Sequence, residues 1–209
     1  MKVILKKLEV GPLQVNCTLL GVEGKKEVIV IDPGEDAQRI LKEVKRLDAK
    51  LTHILATHGH FDHIGGVYAL QKETGAKFLM HGADHDLVTN APRHAASWGL
   101  PFGPAPRVDE EIDDNQVLEL AGLSIQVIHT PGHTRGGVCF RWGDEMAVGD
   151  TLFAGSIGRT DLPGGNYDQL IGSIQNRLMT LPGHLVCHPG HGPNTTIGRE
   201  RDFNPFFGG

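Results

Sequence analysis

Thr57-His58-Gly59-His60-Phe61-Asp62-His63 packs three histidines and a carboxylate into six consecutive positions. All four side chains are metal-ligand types, with imidazole nitrogen suited to zinc and iron and carboxylate oxygen to harder cations. Such a cluster is hard to fold without a cation. Protonated imidazoles repel one another, and buried unpaired ones carry a desolvation cost. A bound metal removes both penalties; the alternative is a solvated histidine-rich turn, and matching residues downstream favour the metal.

Those further ligands sit in three downstream turns. Thr130-Pro131-Gly132-His133-Thr134 follows an apolar run, Gly149-Asp150-Thr151 follows another, and Pro189-Gly190-His191-Gly192-Pro193 follows a third. His58, His60, Asp62, His63, His133, Asp150 and His191 make seven candidates. One zinc takes four ligands, so seven fit two metals better, with three histidines on one, a carboxylate and two histidines on the other, and Asp150 shared. A pair about 3.5–4 Å apart can hold a bridging hydroxide, a strong nucleophile at neutral pH. Zinc is expected there, with iron or manganese as the other candidates, because mixed nitrogen and oxygen sites select by availability.

The surrounding sequence has room for one large α/β domain over residues 1–209. Leu13–Val22, Glu27–Ile31, Leu51–Ala56 and Lys77–Met80 read as strands. So do Gln116–Leu120, Leu123–His129, Gly137–Trp142, Met146–Val148 and Leu185–Cys187. Asp36–Leu47 has helical spacing, with Ile40, Leu41, Val44 and Leu47 on one face; Asp62–Thr74, closed by Gly75, and Tyr167–Leu181 also read as helices. Residues 91–107, rich in Pro, Gly and aromatics, read as a long loop of the lid or binding type. Strand-rich, helix-interrupted halves occur twice in the same order, which predicts two sheets with helices outside.

Composition excludes some function classes. With 22% charged residues, a net charge of −5 and no Lys/Arg run, nothing marks a nucleic-acid partner. No apolar run reaches the roughly 20 residues of a membrane span, and the opening Met1–Lys7 reads as a strand and not a signal peptide. Cys17, Cys139 and Cys187 are widely spaced and form no CxxC pair, as expected in a reducing cytoplasm.

THxHxDH followed by PGHT, GDT and PGHG resembles the metallo-β-lactamase superfamily over essentially the whole chain. The resemblance implies an αββα sandwich with two mixed sheets and a site at one edge. It assigns His58, His60 and His133 to one metal and Asp62, His63 and His191 to the other, with Asp150 bridging and Asp62 also orienting the hydroxide. Phe153–Asp161 and His191–Glu200 are similar to the glyoxalase II group, the hydroxyacylglutathione hydrolases. The implied reaction is hydrolysis of a small thioester such as S-lactoylglutathione, by a monomer or small homo-oligomer. Typical glyoxalase II enzymes carry a basic C-terminal helical extension that grips glutathione; this chain stops at Asn204-Pro205-Phe206-Phe207-Gly208-Gly209. It also has Gly158-Arg159-Thr160-Asp161 where those enzymes have Lys and Tyr contacts, so looser thiol selectivity is expected. An aspartate at the bridging position, in place of the cysteine of zinc β-lactamases, disfavours antibiotic hydrolysis.

Two rival readings remain. Persulfide dioxygenases share GRTD after the aspartate and bind one iron, here through His58, His133 and Asp150; a non-catalytic or flavoprotein-associated domain with a degraded site is the other. Arg159 is either a substrate-binding cation or the partner of Asp161 in a bracing ion pair. Asp32 is either a turn residue or a carboxylate that orients a ligand histidine. Trp98 and Phe102 read as loop packing more than as a substrate box, and His53, His81, His85, His94, His129, His184 and His188 as surface or structural histidines.

Overall fold

The computed structural model describes residues 2–207. The chain runs β1 (Val3–Val10), β2 (Val15–Val22), β3 (Glu27–Ile31), α1 (Ala37–Arg46), β4 (Lys50–Leu55), α2 (Phe61–Ile64), α3 (Val67–Thr74), β5 (Lys77–Met80), α4 (His85–Ser97) and β6 (Glu110–Glu111). Then follow β7 (Val117–Leu120), β8 (Leu123–His129), β9 (Val138–Trp142), β10 (Glu145–Gly149), β11 (Leu152–Phe153) and β12 (Ser156–Ile157). Helix α5 (Tyr167–Ser173) continues into a π-helical turn over Ile174–Leu178, and β13 (Val186–Pro189), β14 (Thr195–Thr196) and α6 (Ile197–Phe203) complete the chain.

Two six-stranded sheets result, ordered β1-β2-β3-β4-β5-β6 and β14-β13-β10-β9-β8-β7. Both are mixed. The first is antiparallel from β1 to β3 and parallel from β3 to β6. The second is antiparallel except for the parallel β10–β13 pair. β11 and β12 form a separate ribbon.

The alternation of side chains along each strand builds the layers. Leu19, Val28, Val30 and Ile54 face one way and pack with Ile40 and Val44 of α1, Val67 and Leu70 of α3, and Val88, Ala91 and Ala95 of α4. Their neighbours Leu20, Ile29, Ile31 and Leu55 face the other way and meet Ile125, Val127, Phe140 and Trp142 of the second sheet. On that sheet's far side Cys139, Met146, Val148 and Cys187 pack against Leu170, Ile174, Leu178 and Ile197. Helix, sheet, sheet and helix therefore stack as an αββα sandwich. All three cysteines are buried and free, and no helix among the described residues is long and apolar enough to cross a membrane.

Several elements depart from the sequence reading. The helix expected over 62–74 is broken at Gly65-Gly66, because these residues pack directly on the Pro33-Gly34 turn. A Cβ on Gly65 would lie 2.1 Å from the Gly34 carbonyl oxygen, and the Gly66 amide donates to the Pro33 carbonyl at 2.7 Å. The loop expected over 91–107 is helical as far as Ser97. Pro92 sits inside α4, where Val88, Ala91 and Ala95 still bury one face. The last long helix ends at Leu178, three residues early. The short β6, β11, β12 and β14, and α6 after them, carry too little periodicity to be read from sequence.

Candidate metal centre

Each candidate ligand lies just past the C-terminal end of a strand, where α/β sheets leave backbone and side chains free to converge. His58 and His60 lie in the turn after β4, and Asp62 and His63 in the one-turn helix α2 that follows. His133 comes after β8, Asp150 after β10 and His191 after β13. The structure brings all seven together in three overlapping groups: His58, His60, His133; His58, His63, Asp150; and Asp62, His63, His191. Within each, the ligand atoms lie within 4.8 Å of one another.

In the first group, His60 Nδ1 is 3.0 Å from both His58 Nε2 and His133 Nε2. The opposite edges of the rings fix which nitrogen carries hydrogen. His133 Nδ1 donates to the Arg159 carbonyl at 2.7 Å, so its Nε2 turns a lone pair inward. Thr57 Oγ1 donates to Asp32 Oδ2 at 2.7 Å and accepts from His58 Nδ1 at 3.1 Å, with the same result for His58. Burial first, then the neighbouring imidazoles, hold His58 well below its ordinary value. Burial and His133 push His60 down to about 3. Neutral imidazoles with converging lone pairs are what a cation needs at neutral pH.

The other side is carboxylate-rich. His63 Nε2 lies 3.4 Å from Asp150 Oδ1 and 3.8 Å from Asp62 Oδ2. His191 Nε2 lies 3.4 Å from Asp62 Oδ2 and 3.7 Å from Asp150 Oδ2. Asp150 Oδ2 also reaches to 3.6 Å from His133 Nε2, so this carboxylate spans both groups. Burial opposes charge on His63, but Asp150, Asp62 and Asp32 outweigh it and hold the imidazole well above its ordinary value. Burial likewise raises Asp62 and Asp150, and His63 overrides it to bring both below the usual carboxylate range.

The residues fit a bound cation on two observations. His63 Nε2 and Asp150 Oδ1 are buried with no hydrogen-bond partner despite their 3.4 Å separation, since their alignment is poor. Gly190 leaves room where any side chain would intrude: its Cβ would lie 2.3 Å from Asp150 Oδ1 and 2.5 Å from His63 Cε1.

Two buried aspartates support the ligand loops. Asp32, at positive φ in the turn after β3, accepts from the Thr57 amide and hydroxyl at 2.7 Å each and from His63 Nδ1 at 3.1 Å. It is both the turn residue and the carboxylate behind a histidine. Asp84 accepts from the Gly59 amide at 2.9 Å, the Thr134 hydroxyl at 2.7 Å and the Gly136 amide at 2.6 Å. It ties the His58–His60 turn to the His133 turn. Sequence reasoning missed Asp84, because nothing in Met80-His81-Gly82-Ala83-Asp84 announces a buried carboxylate.

The cluster opens into a cleft of about 450 Å³. Leu13, Phe61, Leu87, Trp98, Leu162 and Pro163 supply apolar wall, and His94, Ser97 and Arg159 polar wall. Arg159 lines the cleft while its Nε and one terminal nitrogen each donate to Asp161 at 2.8 Å, which is the ion pair of the second sequence reading. Trp98 lines the cleft with its indole packed on Phe61, and Phe102 packs on the core. His94, read as surface or structural, faces the same space because α4 places it one turn before Trp98.

Solved structures reproduce this fold closely. A B3 metallo-β-lactamase, BLEG-1, superposes with a TM-score of 0.91 at 36% identity, covering 99% of this chain and all of that one. TTHA1623, solved in a di-iron-bound form, gives 0.88 at 38% identity over 97% of this chain and all of that one. ETHE1 from Myxococcus xanthus gives 0.82 at 30% identity over 97% and 83%. Among curated relatives, hydroxyacylglutathione hydrolase GloC of Haemophilus influenzae is 36% identical over 203 residues, 95% of each chain. The model of the metallo-β-lactamase superfamily matches residues 10–191. With that match, the sandwich and the ligand types at its strand ends, the chain belongs to the metallo-β-lactamase superfamily.

Proposed function

We propose that this chain is a binuclear metal-dependent hydrolase that cleaves a thioester such as S-lactoylglutathione. The near full-length likeness to GloC carries the reading, and the seven-residue cluster supports it. His58, His60 and His133 would hold one metal, and Asp62, His63 and His191 the other. Asp150 would be shared between them, since its Oδ1 lies 3.4 Å from His63 Nε2 while its Oδ2 lies 3.6 Å from His133 Nε2 and 3.7 Å from His191 Nε2. When bound, two divalent cations supply an activated water at neutral pH and polarise the substrate carbonyl.

The protein's own part is positioning. Asp32, through Thr57 and directly, fixes the tautomers of His58 and His63, and the Arg159 and Leu13 carbonyls fix those of His133 and His191. Asp62, whose Oδ2 lies 3.4 Å from His191 Nε2, would accept a hydrogen bond from the attacking water and so orient it. The departing thiolate, whose conjugate acid has a pKa of about 8.5, needs little protonation, so no dedicated acid is required.

A second reading, iron-dependent persulfide oxidation, is favoured by the likeness to ETHE1, and a third, β-lactam hydrolysis, by the likeness to BLEG-1. One preparation separates them. Purified protein is assayed for metal content, thioester hydrolysis, oxygen uptake on glutathione persulfide and β-lactam opening. We expect about two metals per chain and activity on thioesters. One iron per chain with persulfide-dependent oxygen uptake and inert thioesters would replace this function with the second reading.

A further inference from the structure

The cleft above the cluster has a wall unsuited to the ligand that the GloC likeness suggests. Glutathione carries two carboxylates and an ammonium. Among the described residues lining the cleft, Arg159 is the one guanidinium or ammonium, and its side chain already holds Asp161 through two hydrogen bonds. An anion arriving there competes with an intact ion pair.

Apart from Arg159, His94 and Ser97, the wall above the cluster is apolar and partly uncovered. Trp98 is 51% exposed and belongs to none of the core clusters. Its indole leans on Phe61, with ring centroids 6.0 Å apart and planes tilted by 56°. Leu87 of α4 and Leu162-Pro163 also line the space, and Leu13 lies on the His191 side, where its carbonyl holds that histidine. A concave apolar surface with a large exposed aromatic at its lip, above a few convergent polar groups, is the usual form of a small-molecule site. Here it adjoins the reacting centre, since Phe61 precedes Asp62 in the chain.

We infer that the substrate is a thioester bearing an apolar group, aliphatic or aromatic, which seats against Trp98 and Phe61, and that glutathione is not the preferred thiol. The inference rests on the thioester reading for its chemistry but not for its binding surface. The apolar group belongs to either the acyl or the thiol half, and the test distinguishes them.

Metal-loaded protein is given two series of thioesters. In one, the thiol is N-acetylcysteamine and the acyl group grows from acetyl to hexanoyl to phenylacetyl. In the other, the acyl group is lactoyl and the thiol is glutathione, N-acetylcysteamine or benzyl mercaptan. We expect kcat/KM to rise at least about 10-fold along one series, since each buried methylene contributes to discrimination. Trp98→Ala should cut the ratio of the most apolar to the least apolar ester by about 10-fold, and Trp98→Phe should retain most of it. In parallel, a non-hydrolysable thioether analogue of the best ester should shift tryptophan fluorescence to the blue in the wild type and not in Trp98→Ala. Preference for the glutathione ester over every apolar one, or an apolar gain that survives Trp98→Ala, overturns the inference. Saturable thioether binding with no ester cleaved instead overturns the thioester reading and leaves the apolar site standing; no binding and no cleavage sinks both.

Discussion

The floor and the wall of this site are built differently. On the floor, four of the five histidines have their outer ring nitrogen held, by Thr57, Asp32, and the Arg159 and Leu13 carbonyls. Glycines at 149 and 190 bring backbone against Thr57, His63 and Asp150 so closely that no side chain fits between. The wall has no such bracing. Trp98 stands half exposed at the end of α4, and Arg159 holds only an exposed partner. A floor fixed by many mutual contacts keeps ligand geometry to the tolerance that chemistry requires, while a loosely held wall can vary without disturbing it. Reaction type therefore belongs to the floor and substrate choice to the wall.

The floor should break first at Asp150. Asp150→Ala removes the carboxylate assigned to both metals and leaves His63 Nε2 buried beside a void. We expect loss of one metal per chain and a rate drop of at least ~100-fold. Elemental analysis with turnover measurement checks this, and near-normal turnover would show that Asp150 is not the bridge. Gly190→Ala tests the same spot without deleting a ligand. Its methyl must displace Asp150 or His63, so metal affinity, read by chelator competition, should fall by about 10- to 100-fold with the fold retained. Unchanged affinity would mean that the floor yields more readily than the bracing implies.

How much of the site was legible follows the same division. The convergence of the floor could be read because its candidate ligands come in short local patterns at strand ends: His58 to His63 is one uninterrupted stretch, and His133, Asp150 and His191 each follow an apolar strand. The sandwich could be read because Val28 to Ile31 and similar runs bury both faces, one against helices and one against the other sheet. The wall depends on where α4 ends, and Pro92 disguised that helix as a loop. The break between α2 and α3 depends on contact with Pro33 and Gly34, about thirty positions upstream, and Asp84 joins one turn 25 positions before it to another 50 positions after it. Long-range contacts of this kind leave no local periodicity.

Asp84 sharpens the comparison within the floor. Asp84→Ala strands the Gly59 and Gly136 amides and the Thr134 hydroxyl, which costs about 3 kcal/mol of stability. Because those groups lie in the two turns carrying His58, His60 and His133, affinity at that metal should weaken by about 10-fold while the Asp62–His63–His191 metal stays. Thermal melts and stepwise chelation separate the effects. Equal weakening of both metals would make Asp84 a general stabiliser of the fold and not a brace for one group.

Arg159→Ala should do least. The group that holds His133 is the Arg159 backbone carbonyl, which the substitution leaves in place. The lost side chain is an exposed cation paired with an exposed aspartate two residues on, an arrangement that contributes little in water. We therefore expect metal content to be unchanged and kcat/KM on a neutral thioester to move by less than about 3-fold. Steady-state kinetics on neutral and anionic thioesters, run side by side, measure it. A rise in KM of about 10-fold confined to the anionic ester would mean that the wall already contains a working anion contact, that Asp161 releases Arg159 when substrate binds, and that the division between a chemical floor and an apolar wall is drawn in the wrong place.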